Sequence, residues 1–148
     1  MKLLVNKHAQ RNYEILKTYS AGIKLSGQEV KSLRQQHGSL KEAYIKMQQE
    51  LFLVNCHIPP FQGGHADMQS YDPYQARKLL LTKKEIQDIA SQTHEKGLTI
   101  IPLSIYTKGD YIKIDIATAR GKKLYDKRND LKERSMKRDT DRIIKNHT

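Results

Sequence analysis

Tryptophan is absent from this 148-residue chain, and cysteine occurs once. The lone Cys56 excludes an intrachain disulfide framework and any paired-cysteine zinc motif, and it fits a reducing compartment. Long apolar runs are missing too. The opening Leu3-Leu4-Val5 piece is too short for a signal-peptide core, and no later run approaches a membrane span. A soluble, cytoplasmic chain with no membrane partner is expected. No repeat appears at periods of 20–50 residues. There is no glycine-rich phosphate loop and no nucleophile elbow. His57, His65 and Asp67 match no standard metal-ligand spacing, so the sequence offers no metal site, no cofactor and no catalytic residue.

Acidic residues are in short supply: 27 Lys and Arg face 16 Asp and Glu, for a net charge of +11. The excess is uneven. Residues 120–148 hold 11 basic and 5 acidic residues, against 16 and 11 in residues 1–119. A segment so charged and so poor in apolar side chains buries too little surface to offset its ordering entropy alone. Its natural counterpart is a polyanion, and nucleic acid is the abundant one. Asp130/Arg134, Glu133/Lys137 and Asp141/Lys145 are spaced i,i+4 with the acid first, the order that favours a helix. Each pair adds only ~0.3–0.5 kcal/mol. A tail disordered when free and helical when docked is expected, giving two units, 1–119 and 120–148.

The first unit reads as short antiparallel strands with few helices. Tyr13 to Leu25 suggests a strand, with Ile15 and Ile23 facing inward and Gly22 as a bend or bulge. Ser26-Gly27-Gln28-Glu29 is a capping box that opens a short helix, with Val30 and Leu33 on one stripe. Ala43–Met47 and Leu51–Ile58 read as a hairpin turning at 48–50. Ser39-Leu40-Lys41-Glu42 also fits a capping box but is followed too soon by strand formers. Pro59-Pro60 ends the hairpin, and Phe61 to Gln75 reads as a long loop. Thr82 caps a second helix through Glu85, and Gly97 ends it. Leu98–Tyr106 and Tyr111–Ala117 form a second hairpin around Lys108-Gly109-Asp110, with Ile112, Ile114 and Ile116 on one face and the other face wet. Pro102 implies an edge position or a bulge. The fold class expected is mainly β: an OB-like antiparallel barrel with two or three flanking helices, an architecture that offers a strand face and loops to nucleic acid.

Within this unit Tyr13 and Tyr111, and Tyr125 beyond it, are stacking candidates with cationic neighbours. Lys113, Lys31 and Arg34 are phosphate-contact candidates. Each also has a plain reading as packing or solvated surface.

The chain resembles the SsrA-binding protein (SmpB) family. The matching segments are Asn6-Lys7 with Ala9 and Tyr13, Ala21-Gly22, Glu29-Val30-Lys31-Ser32-Leu33-Arg34, Asp72-Pro73, Arg77-Lys78-Leu79-Leu80-Leu81, Gly97 to Leu103, and Ala119 to Arg128 followed by Leu131 to Arg134. They run in order over nearly the whole chain. The resemblance implies a non-enzymatic adaptor of trans-translation. In it the barrel holds the tRNA-like domain of transfer-messenger RNA (tmRNA), and the tail enters the empty mRNA channel and decoding centre of a stalled ribosome. Elongation factor Tu would join through the aminoacylated tmRNA, and the adaptor would act as a monomer. Carried onto this sequence, Asn6, Lys7, Tyr13, Ser20, Lys31, Arg34, Leu80, Thr82 and Lys113 are tmRNA-binding candidates. Gly121, Lys122, Lys123, Tyr125, Asp126, Lys127 and Arg128 are candidates for ribosomal engagement. Ser20 stands where many members carry an acid, and Thr82 where Asn or His is common. The alternative is a ribosome-associated OB-type structural protein. A basic nuclease is disfavoured, because no catalytic constellation is present.

Overall fold

The computed structural model describes residues 1–61 and 71–121. Their elements run β1 (Lys2–Val5), α1 (Ala9–Asn12), β2 (Tyr13–Ile23), α2 (Gly27–Arg34), β3 (Tyr44–Gln48), β4 (Glu50–Val54), β5 (Arg77–Leu80), α3 (Lys83–Lys96), β6 (Thr99–Lys108) and β7 (Tyr111–Gly121). The seven strands form one antiparallel sheet in the order β1-β6-β7-β2-β5-β4-β3. It curls until β3, at one edge, packs against β6 near the other. The mainly β, OB-like expectation therefore holds. The long β2 makes the curl possible, pairing with β7 along its length and with β5 only at Gly22 and Ile23.

Alternation along the strands fills the interior. Ile105, Ile114, Ile116, Leu51, Leu53 and Leu79 meet Leu33 of α2 and Ile89 of α3 in one core. Each such side chain contributes roughly 1.5–3 kcal/mol by leaving water. A smaller cluster joins Ala9 of α1 to Ile101, Ala117 and Ala119. That cluster corrects the one-wet-face reading of β7. Beyond Ile116, the residues Ala117, Thr118 and Ala119 are all buried, because α1 and α3 cover opposite sides.

Both capping boxes form. Ser26 Oγ accepts from Glu29 N while Glu29 Oε1 accepts from Ser26 N, and Thr82 and Glu85 repeat the exchange. Gly97, at φ 63°, ends α3 in the left-handed region that glycine adopts without strain. The box-like Ser39 to Glu42 stretch forms no helix; Ser39 instead bridges to His57. Pro102 sits at a bulge of the interior strand β6, not at an edge. The bulge of β2 falls between Ile15 and Lys17, not at Gly22. Gly22 is regularly paired on both sides, and what its missing Cβ supplies is room: an added one would lie 3.1 Å from Leu80 Cβ. The strand also stops at Ile23, short of Leu25.

Candidate nucleic-acid interface

The β6–β7 turn, the end of β2 and the end of β5 converge because Gly22 pairs with Lys113 on one side and Leu80 on the other. The result is a concavity of about 680 Å³ lined by Leu80, Lys108, Tyr111 and Lys113, among others. Its apolar groups lie open: Leu80 is 52% exposed and Tyr111 76%. Isolated apolar exposure is ordinary, but an exposed tyrosine and leucine bracketed by two lysines is a surface on which a base can stack while phosphates meet cations. Ser20 is one strand over. Its hydroxyl lies 2.5 Å from the Tyr106 hydroxyl, and Tyr106 is itself the strand partner of Lys113. Burial pushes the Tyr106 phenol above its usual pKa, so it remains a neutral donor at physiological pH.

α2 flanks this concavity. Arg34 donates from Nη2 to the Asp110 carbonyl of the β6–β7 turn at 3.1 Å. Lys31 is exposed, with its ammonium 5.5 Å from the Phe61 ring. A cation over an aromatic face is weakly held at an exposed site, about 0.5–1 kcal/mol, and stays free to meet a phosphate. The structure thus brings Leu80 and Lys113 together, with Ser20 bonded to the neighbouring Tyr106 and Arg34 to the adjoining turn.

The remaining candidates lie elsewhere on the sheet. Asn6 sits just past β1, where its amide donates to the Pro102 carbonyl at 2.9 Å and its Oδ1 accepts from His8 N. Both polar ends of Asn6 are thus engaged internally, while the neighbouring Lys7 is exposed. Tyr13 is half-buried against the Ala9 cluster, opposite Gly121, so packing occupies much of its ring. Thr82 spends its hydroxyl on the α3 cap. Gly121 is the last residue of β7. Lys122, Lys123, Tyr125, Asp126, Lys127 and Arg128 lie outside the described residues, as do the tail's proposed helix and the loop histidine His65 with Asp67.

Several residues of this surface and its support carry little signal in the sequence. Lys108 lines the concavity, and its signal was its place at a hairpin turn beside a tyrosine. A second hollow of about 340 Å³ runs past Lys7, His8 and Lys41. The most internal omission is Arg77. Its guanidinium donates to Glu29 Oε2 at 2.5 Å, to Cys56 O at 2.5 Å and to Pro73 O at 3.0 Å. Cys56 itself is a core residue, its thiol pushed up to about 11 mainly by burial, which leaves it inert. Among the described residues no cluster of His, Cys, Asp and Glu could hold a metal ion, and no helix is long and apolar enough to cross a membrane.

Comparison with known proteins places these features in a family. The model of the SmpB protein family matches residues 3–146. An SsrA-binding protein of Gloeobacter violaceus is 46% identical over 146 residues, spanning 97% of this chain and 95% of its own length. One from Aquifex aeolicus is 47% identical over 142 residues, spanning 95% and 89%. Among solved structures, a chain from "tmRNA-SmpB: a journey to the center of the bacterial ribosome" is similar at a TM-score of 0.66 and 41% identity, covering 81% of this chain and 84% of that one.

Proposed function

The chain belongs to the SmpB family, and from that premise we propose that it is a tmRNA-binding adaptor of trans-translation. The observation that carries the reading is the convergence of Leu80 and Lys113 on one concavity with Tyr111 and Lys108, with Ser20 beside it on the Tyr106 hydroxyl. These residues come from distant parts of the sequence and assemble a stacking surface with cations at its rim. In this reading the barrel of residues 1–119 holds the tRNA-like domain of tmRNA. Leu80 and Tyr111 pack on exposed bases or ribose, and Lys108, Lys113, Lys31 and Lys7 meet the RNA backbone. Asn6 and Thr82 act by holding Lys7 and the start of α3 in place.

The basic segment 120–148 engages the ribosome. Gly121 gives the chain freedom to turn as it leaves β7. Lys122, Lys123, Lys127 and Arg128 meet rRNA phosphates, Tyr125 stacks on a base, and Asp126 caps a helix that forms in the mRNA channel. The adaptor acts as a cytoplasmic monomer, and elongation factor Tu joins through the aminoacylated tmRNA. No catalytic role is assigned to any residue.

The test is a chain ending at Gly121, assayed in a reconstituted tagging reaction. It is expected to bind tmRNA within a few-fold of the full chain and to leave stalled peptides untagged. Loss of tmRNA binding on truncation would overturn the division of labour. Full tagging by the truncated chain would overturn the role given to the tail.

A further inference from the structure

Glu29 and Arg77 are buried in a barrel whose RNA-facing groups are all at the surface, yet they connect to the same concavity. Glu29 occupies the third position of α2. One carboxylate oxygen, Oε1, accepts from Ser26 N to close the capping box, and the other, Oε2, accepts from Arg77 Nε. Arg77 opens β5, three residues before Leu80. Its other donors fix the Cys56 carbonyl beyond β4 and the Pro73 carbonyl of the segment entering β5. The N-terminal end of α2 is therefore locked to the strand that carries Leu80. The C-terminal end of the same helix is tied by Arg34 to the Asp110 carbonyl, in the turn that carries Lys108 and Tyr111. Between the two ties, Leu33 is fully buried in the core.

An α-helix of eight residues is a stiff rod about 12 Å long. One rod fixed at one end to β5 and at the other to the β6–β7 turn sets the separation of those two elements. They line opposite sides of the concavity, which is otherwise spanned by the single pairing row Leu80–Gly22–Lys113. At that row β2 has no side chain to wedge between its neighbours, since residue 22 is glycine.

We propose that Glu29, Arg77 and Arg34 are positioning residues for RNA recognition, with α2 a brace that holds Leu80 at its working distance from Tyr111 and Lys113. The proposal rests on the reading of this concavity as the tmRNA surface, and it reassigns Arg34 from a phosphate contact to a strut. A buried ion pair gains little net stability, because desolvating both charges offsets their attraction. Its retention here is explained by the geometry it specifies.

The experiment measures the affinity of the full-length chain and its Arg34→Ala, Arg77→Lys and Glu29→Gln variants for a tmRNA tRNA-like domain across a salt series. All three are assayed well below their measured melting temperatures. Arg34→Ala alters only an exposed side chain, so the test stands even where a buried variant fails to fold. Expected is an affinity loss of about tenfold for Arg34→Ala, the size of coupling found within one contact network. Its slope of log affinity against log salt should match the parent's. In a Leu80→Ala background the loss should shrink, since the positioned group is gone. A slope reduced by about one unit identifies Arg34 as a direct phosphate contact and overturns the strut. Unchanged affinity, or full additivity with Leu80→Ala, overturns it as well. If the parent chain itself fails to prefer the tRNA-like domain to an unrelated stem-loop, the functional reading has failed, a result distinct from either of these.

Discussion

Replacing Arg77 by Met should destabilise the barrel far more than any surface change. The Arg77 and Glu29 side chains are 1% and 3% exposed. Removing the guanidinium leaves the Glu29 carboxylate buried with the Ser26 amide as its remaining partner, and it strips donors from the Cys56 and Pro73 carbonyls. Breaking one side of a buried pair costs about 3–5 kcal/mol. The orphaned Cys56 carbonyl costs ~1–3 kcal/mol when it stays dry, while the Pro73 carbonyl keeps the Ile58 amide as a donor at 3.0 Å. These terms overlap, because the site relaxes once to admit water, so a total near ~4–5 kcal/mol is expected. For a chain of this size that is a fall in melting temperature of roughly 10–20 °C. The Glu29→Met, Arg77→Met double variant should recover most of the loss, less about 1 kcal/mol for the broken capping box. Urea unfolding followed by circular dichroism, with the slope on denaturant checked for constancy, measures all three free energies. A single variant within about 1 kcal/mol of the parent, or a double variant no better than the single, would mean that the two side chains do not act as a buried pair.

Asp88 accepts from Lys17 and Tyr19, and those bonds hold its carboxyl at about 2, below the ordinary 3.8. A depressed carboxylate lends stability that is present above its ordinary value and lost as pH falls through its folded value. The stability advantage over Asp88→Asn should therefore fade between about pH 4 and pH 2, and shrink in salt because the pair is half-exposed; an advantage that persists at pH 2 contradicts it. Cys56, its thiol buried and pushed up to about 11, should resist alkylation at pH 8 until denaturant is added. Stoichiometric labelling of the native chain within seconds would show the site to be open. Gly22→Ala puts a methyl 3.1 Å from Leu80 Cβ, so Leu80 must shift. The variant should melt within a few degrees of the parent yet bind the tRNA-like RNA several-fold more weakly; equal affinity means Leu80 is not read by the RNA.

The parts of the fold legible in the sequence were those with a local signal. The two longer helices, α2 and α3, announced themselves by capping boxes, and the β6–β7 hairpin by alternation around a glycine turn. β1 and β5 were missed for opposite reasons. Leu3-Leu4-Val5 is too short to show a period, and it becomes a strand only by pairing with β6, a hundred residues away. β5 begins with an arginine in a buried position, where alternation predicts an apolar residue, and only the tertiary partners Glu29, Cys56 and Pro73 make that burial possible. The one-turn α1 was likewise silent. For the site, resemblance named Leu80 and Lys113, but no spacing rule places residues 80 and 113 together. Their meeting depends on β2 exchanging partners at Gly22. Asn6 carries side-chain bonds that its residue type does not announce, since its polarity reads the same whether it faces RNA or a neighbouring carbonyl; the Thr82 bond was legible as a cap, but not that it leaves the hydroxyl engaged away from RNA.

Specific recognition of a tRNA-like RNA by the barrel differs in kind from attraction of any polyanion to a chain of net charge +11. Its most direct test is competition between a tmRNA tRNA-like domain and an unrelated stem-loop of equal length for the full chain, repeated from low to physiological salt. Non-specific attraction falls steeply with salt for both RNAs. The preference for the tRNA-like domain should widen as salt rises, and Leu80→Ala with Tyr111→Ala should abolish it. Equal affinity for both RNAs at physiological salt would contradict specific recognition.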